Sequence, residues 1–179
     1  MSDQHRIYQR IGEFVVSFQW IENRIREIGW FILDPERKNW PPQDLRDDKT
    51  DALFKKVDKL FLGALPRCRL DRELEDDYRK TFAQSTTRFH QLRRARNKIL
   101  HSAYIDLKAG DEVHALLRSN PRLGLDSETG EPLFDQEILS DNSFEHEFRE
   151  MADLAMFFNR CYTQLVHRLH VDKSDSEGQ

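Results

Sequence analysis

Ile7, Ile11, Phe14, Phe18, Ile21, Ile25, Ile28 and Ile32 follow one another in steps of four and three, the spacing of one apolar stripe along an α-helix. This predicts a first helix over residues 4–33. Asp34-Pro35 and Trp40-Pro41-Pro42 end it, because proline disfavours a helical residue before it and lacks the amide that a helix interior needs. Leu53, Phe54, Val57, Leu60 and Phe61 predict a shorter second helix over 49–62, capped by Asp48 or Thr50 and stopped at Gly63 and Pro66. From Asp71 an acidic first turn gives way to a basic last turn, the order that suits a helix macrodipole, and predicts a third helix over 71–101.

The pattern then changes. Tyr104-Ile105-Asp106-Leu107, a Lys108-Ala109-Gly110-Asp111 turn, Val113-His114-Ala115-Leu116-Leu117 and the polar stretch Asp126 to Pro132 read as a hairpin or two within 103–140. Asp141 or Ser143 starts a last helix over 143–170, with Phe144, Phe148, Met151, Leu154, Ala155, Phe158, Cys161, Tyr162, Leu165 and Leu169 on one broad face. Asp172 to Gln179 reads as a disordered tail. The expected fold class is all-α: a four-helix up-and-down bundle with a small β-hairpin insertion before the last helix, in a single domain over 1–171.

Composition narrows the class. Of 179 residues, 38% are hydrophobic and 34% charged, and the longest apolar runs are far too short to cross a bilayer. The first residues lack the basic-then-apolar layout of a signal peptide, so a cytoplasmic protein is the expectation. Cys68 and Cys161 have no nearby thiol, and two reduced, packed cysteines are expected. The net charge of −4 argues against coating nucleic acid by charge alone. That average hides one segment. Tyr78 to Ile105 holds seven Lys or Arg and no Asp or Glu, so it carries +7 against −11 for the remainder, and it would draw a phosphate-bearing partner.

Within this segment Tyr78, Phe82, Ser85, Phe89, Leu92, Arg96 and Ile99 form the stripe of the third helix. Arg96 stands where an apolar residue belongs. A guanidinium there must face a cleft, pair with a carboxylate or reach the bundle edge, since burying it unpaired costs several kcal/mol. His101 follows near the helix end, where unpaired carbonyls favour an imidazolium and an imidazole can take up and return a proton. It is a capping residue or a proton-transfer group. Asn97, four residues before His101, shares its face and can orient the ring or simply cap the helix. Arg93, three before Arg96, binds a flanking phosphate or belongs to a solvated face. Glu22, beside the stripe of the first helix, pairs with Arg96, positions His101 or forms a boundary salt bridge.

Arg96-Asn97-Lys98-Ile99-Leu100-His101-Ser102 resembles the Arg-polar-x-x-x-His signature of the HEPN superfamily, which lies at the end of the third long helix of a bundle. Phe18-Gln19-Trp20-Ile21-Glu22 is similar to an aromatic-plus-acidic pattern of bacterial members. The resemblance covers residues 5 to 101 and the final helix. It implies a metal-independent endoribonuclease, a toxin or anti-phage effector, active as a homodimer with the motifs of two protomers facing one cleft. On that basis His101 handles the ribose 2′-hydroxyl proton, and Arg96 orients the scissile phosphate and offsets transition-state charge. An in-line attack by a 2′-hydroxyl needs a base and a fixed cation, without a metal.

Arg93, Ser102 and Tyr104 are taken as substrate-binding candidates, with Asn97 and Glu22 as supporting residues. One HEPN toxin group keeps a tyrosine two residues after its histidine, where a partner nucleotidyltransferase modifies it; Tyr104 lies three after His101. RNA is the expected partner, with an antitoxin or nucleotidyltransferase alongside, and no cofactor or metal is expected. His167 and His170 lack the further ligands of a metal site. The insertion begins directly after His101 and is placed to wall the cleft. The rival reading is a catalytically silent HEPN-fold dimer that binds RNA, a nucleotide or a protein; a helical scaffold with a structural Arg96 is the third.

Overall fold

The computed structural model of the protein describes residues 3–39, 41–110, 112–125 and 132–174. The described chain is mainly helical: α1 (Asp3–Leu33), α2 (Gln43–Arg46), α3 (Thr50–Ala64), a 3-10 turn (Leu65–Cys68), α4 (Arg72–Leu100), strands β1 (Ala103–Ala109), β2 (Glu112–Leu125) and β3 (Pro132–Leu139), then α5 (Glu145–Ser174). Among the described residues no helix is long and apolar enough to cross a membrane.

α1 ends ahead of Asp34-Pro35 and α4 starts after Asp71, where the sequence signals lie, whereas α3 has Lys49 at its N-cap with no side-chain bond, in place of Asp48 or Thr50, and runs through Gly63 to Ala64. Asp71 accepts the Leu74 amide through Oδ1 at 2.8 Å, the N-cap bond that satisfies an orphan donor of α4. Asp34 ends α1, its Oδ2 accepting the Asn39 amide at 2.6 Å. The one-turn helix α2 is not among the expected elements; it holds a single buried apolar residue, Leu45, too little for a 3.6-residue period to register. The insertion is a three-stranded antiparallel meander in the order β1-β2-β3, the larger of the expected one or two hairpins. The last helix runs through Ser174, so residues 172–174 are helical instead of a tail, while 175–179 and the turn at 126–131 lie outside the described residues.

The chain divides into two compact units, residues 1–18 with 91–149 and residues 19–90 with 150–179. In the second, Phe54 stacks on Phe89 at 4.9 Å and Phe61 on Phe82 at 4.5 Å, while Phe158 meets Phe54 and Phe82 edge-on. Cys68 and Cys161 are buried there and not disulfide-linked. Arg26 donates to the Leu45 and Arg46 carbonyls, the open end of α2. The first unit holds the sheet. Tyr104 pairs with Arg118, Ile105 with Leu117, Leu116 with Leu139 and Arg118 with Glu137. Side chains alternate across a sheet, so Tyr104, Leu116 and Leu139 pack with Ile7, Ile11 and Phe144, while Ile105 and Ile138 lie exposed on the opposite face. Phe144 adopts φ 71°, a conformation that costs a side-chain-bearing residue about 1 kcal/mol or more; its ring lies 5.5 Å from that of Phe14, edge-on.

Gly29 is a close-approach glycine: a Cβ there would come within 2.4 Å of Leu45 Cδ1 and 2.8 Å of Val57 Cγ2. The helical glycines Gly12 and Gly63 have nothing within 4 Å. Gly29→Val is therefore expected to destabilise the protein by about 2 kcal/mol through overpacking, whereas Gly12→Ala and Gly63→Ala each stabilise it by about 0.5–1 kcal/mol through helix propensity. Urea denaturation midpoints check both signs; equal behaviour of the three positions would contradict the packing.

Candidate functional site

The site is built at the C-terminal end of α4. Arg94, Asn97, Lys98 and His101 stand at i, i+3, i+4 and i+7, one face of a helix. With Asn120 of β2 they line a cavity of about 250 Å³. His101 is exposed, and its amide donates to the Asn97 carbonyl at 3.0 Å. The basic segment contributes unevenly. Arg79 is paired with Glu75, Arg88 with Glu150 and Asp153, and Lys98 with Asp135 at 3.4 Å. Arg94 has no ion-pair partner among the described residues. The seven cations therefore do not act as one patch; at the cavity Arg94 brings its charge and Lys98 one shared with Asp135.

Arg96 is half-buried. Its guanidinium carbon lies 5.2 Å from the centroid of the Phe18 ring, within cation–π range, and Nη1 donates to Asn97 Oδ1 at 2.9 Å. Among the described residues of its unit it meets no carboxylate. Five residues turn a helix by about 140° beyond one full turn, so Arg96 and His101 do not share a face, and Arg96 is not among the residues lining the cavity. Asn97 connects them: its oxygen holds Arg96, and it lines the cavity beside His101.

The other residues singled out from sequence fall in different surroundings. Ser102 Oγ donates to the Lys98 carbonyl at 2.5 Å and accepts from Arg118 Nη1 at 3.3 Å. Tyr104 donates its hydroxyl to the Ile99 carbonyl at 2.9 Å, and burial raises its pKa, keeping the donor protonated. Both satisfy carbonyls that the end of α4 leaves open. Arg93 is half-buried on α4. Glu22 lies in the second unit, 6% exposed, with Oε1 accepting from Arg26 at 3.1 Å and Oε2 from Thr50 at 2.9 Å. It forms a buried ion pair with Arg26 that ties the end of α2 and the start of α3 to α1.

Sequence reasoning did not single out Arg94, Lys98, Asn120 or Arg118 as site residues. The spacing of Arg94 and Lys98 with Asn97 and His101 was the available signal. Arg118 is 5% exposed and donates to Asp135 at 3.1 Å and Glu137 at 3.0 Å, which fixes β2 and β3 against Ser102. Its hydrogen bond holds the Asp135 carboxyl below the usual 3.8, and Lys98 adds to this. Among the described residues no three of His, Cys, Asp and Glu gather into a metal-binding group.

Breaking the Glu22 pair by Glu22→Ala leaves a buried guanidinium without its carboxylate and is expected to lower stability by about 3 kcal/mol, measured by urea denaturation; a loss of activity with stability unchanged would instead make Glu22 part of the chemistry. Asp135 has a depressed folded pKa, so its contribution is present above 3.8 and lost as pH falls through the lower folded value. Asp135→Asn should accordingly be less stable than wild type near neutral pH, with the gap closing in acid; a gap independent of pH would contradict the role of Arg118.

Comparison with protein-family models, with curated proteins and with solved structures found no match to this chain.

Proposed function

We propose that the protein is a metal-independent endoribonuclease of HEPN type, cleaving RNA by attack of a ribose 2′-hydroxyl, in the role of a toxin or defence effector. The reading takes α1, α3, α4 and α5 as an up-and-down four-helix bundle and places the active site between two copies of the chain. The observation that carries it is the exposed His101 in a cavity with Arg94 and Lys98, next to an Arg96 held by an aromatic ring and a neutral amide. A structural arginine of this fold looks different: Arg26 and Arg118 are paired with carboxylates.

In the proposed reaction His101 Nδ1 or Nε2 accepts the 2′-hydroxyl proton as its oxygen attacks the adjacent phosphorus. The phosphorus–5′-oxygen bond breaks, and the leaving oxygen takes up a proton, giving a 2′,3′-cyclic phosphate and a 5′-hydroxyl. The Arg96 guanidinium matches two phosphate oxygens and offsets the charge gained in the transition state. Asn97, bonded to Arg96, orders the two groups.

A second reading, a catalytically silent HEPN-fold dimer that binds RNA, is favoured by one observation: Arg96 and His101 lie on different faces of α4 within one chain. Expression of wild type, Arg96→Ala and His101→Ala, with growth and the 5′-hydroxyl ends of cellular RNA as readouts, separates the two. Growth arrest and new ends in wild type alone, with all three folded, is the expected result, with losses of about a hundredfold or more for either variant. Equal behaviour of the three would overturn the nuclease.

A further inference from the structure

The geometry points to Arg94 as the residue that holds an RNA phosphate flanking the scissile one, which makes the substrate a strand with at least two successive phosphodiesters. This rests on the reading of Arg96 and His101 as directed at RNA, and it adds a backbone contact that reads no base. The cations of α4 in the first unit differ in what they are free to hold. Arg93 is half-buried and has an interaction of its own. Arg96 is held by the Phe18 ring and by Asn97, and Lys98 is ion-paired with Asp135 at 3.4 Å. Arg94 is exposed, and its side chain has no ion pair or hydrogen bond among the described residues. Its own helix offers it no carboxylate: the positions three and four away on either side, where side chains meet along a helix, are His90, Gln91, Asn97 and Lys98.

Placement separates Arg94 from an ordinary solvated arginine. It lines the same cavity of about 250 Å³ as His101. Seven residues return a helix to within about 20° of the same face and advance it by about 10 Å, so the two residues border that cavity from its two ends. A single phosphate is too small to span that separation. The phosphate attacked at His101 is therefore distinct from the one Arg94 meets, and a strand laid along this face of α4 brings its neighbouring phosphate to Arg94, since every nucleotide carries one charge. The planar guanidinium fork matches two phosphate oxygens. Lys98, its charge shared with Asp135, and Asn120, which has an interaction of its own, complete the wall without a competing free cation.

The test measures binding without cleavage, on short single-stranded RNA oligomers with 2′-fluoro sugars in which one phosphate at a time is replaced by an uncharged methylphosphonate. Wild type is expected to lose about tenfold in affinity when the phosphate held by Arg94 is neutralised. Arg94→Ala binds the unmodified oligomer about tenfold more weakly, with a salt slope lower by about one, and neutralising that same phosphate costs it nothing further. Arg94→Lys keeps the charge without the fork and falls between the two. No binding by wild type, or a methylphosphonate pattern identical in wild type and Arg94→Ala, overturns the subsite; a merely solvated arginine gives the second result. Because the oligomers lack the attacking hydroxyl, an Arg94-dependent pattern with no cleavage of ordinary RNA would end the nuclease reading alone. Cleavage that requires Arg96 and His101, with a pattern indifferent to Arg94, would end the subsite alone.

Discussion

The last carbonyls of a helix have no amide above them, and how α4 satisfies its own determines the arrangement of everything attached to it. The Asn97 carbonyl takes the His101 amide, that of Lys98 takes the Ser102 hydroxyl, and that of Ile99 takes the Tyr104 hydroxyl. Two of these donors are side chains from the residues that lead into β1. Leaving the helix and docking the sheet are thus one event, and each such bond contributes on the order of 1 kcal/mol. Arg118 extends the arrangement by holding Ser102 and two carboxylates of β3 at once. The cavity wall is a consequence of it, since Asn120 lies next along the same face of β2.

The arginines of this chain sort by what surrounds them. Arg26 and Arg118 are buried or nearly so, and each is matched by a carboxylate, as a desolvated cation must be. Arg88 is neutralised by Glu150 and Asp153. Arg96 departs from this pattern. It has an aromatic face and a neutral amide oxygen for company, contacts worth about 1 kcal/mol each, which position a guanidinium without cancelling its charge. Among the described residues of its unit nothing else neutralises it, and that is the physical basis of the phosphate-binding role proposed for it.

The long helices were legible because each carries an apolar stripe of several turns bounded by a cap, a proline or a glycine. In α2 there is one apolar residue, so periodicity had nothing to register. β3, the third strand that two hairpins require, left a weaker signal for a different reason. Its residues Asp135 and Glu137 look like a solvent face, yet they point at Arg118, and a buried cation reverses the usual meaning of a polar position. Ser102 and Tyr104, read from sequence as substrate contacts, are engaged by the end of α4, because open carbonyls nearby outcompete any role that requires a loose hydroxyl. Glu22 was recognisable as a carboxylate beside the stripe, but its partners, Arg26 and Thr50, depend on how the chain returns after α1.

By itself the sequence determined the long helices, the interruption of a packing stripe at Arg96 and the placement of Arg94, Asn97, Lys98 and His101 on one helical face, because a helix has a fixed period and these residues are close along the chain. Only the tertiary structure decided that Arg96 leans on Phe18 while His101 turns to a cavity, and that Asn120 closes that cavity. Those contacts join residues far apart in sequence, and they follow from the pairing of three strands and the demand of Arg118 for carboxylates, neither of which any local periodicity encodes.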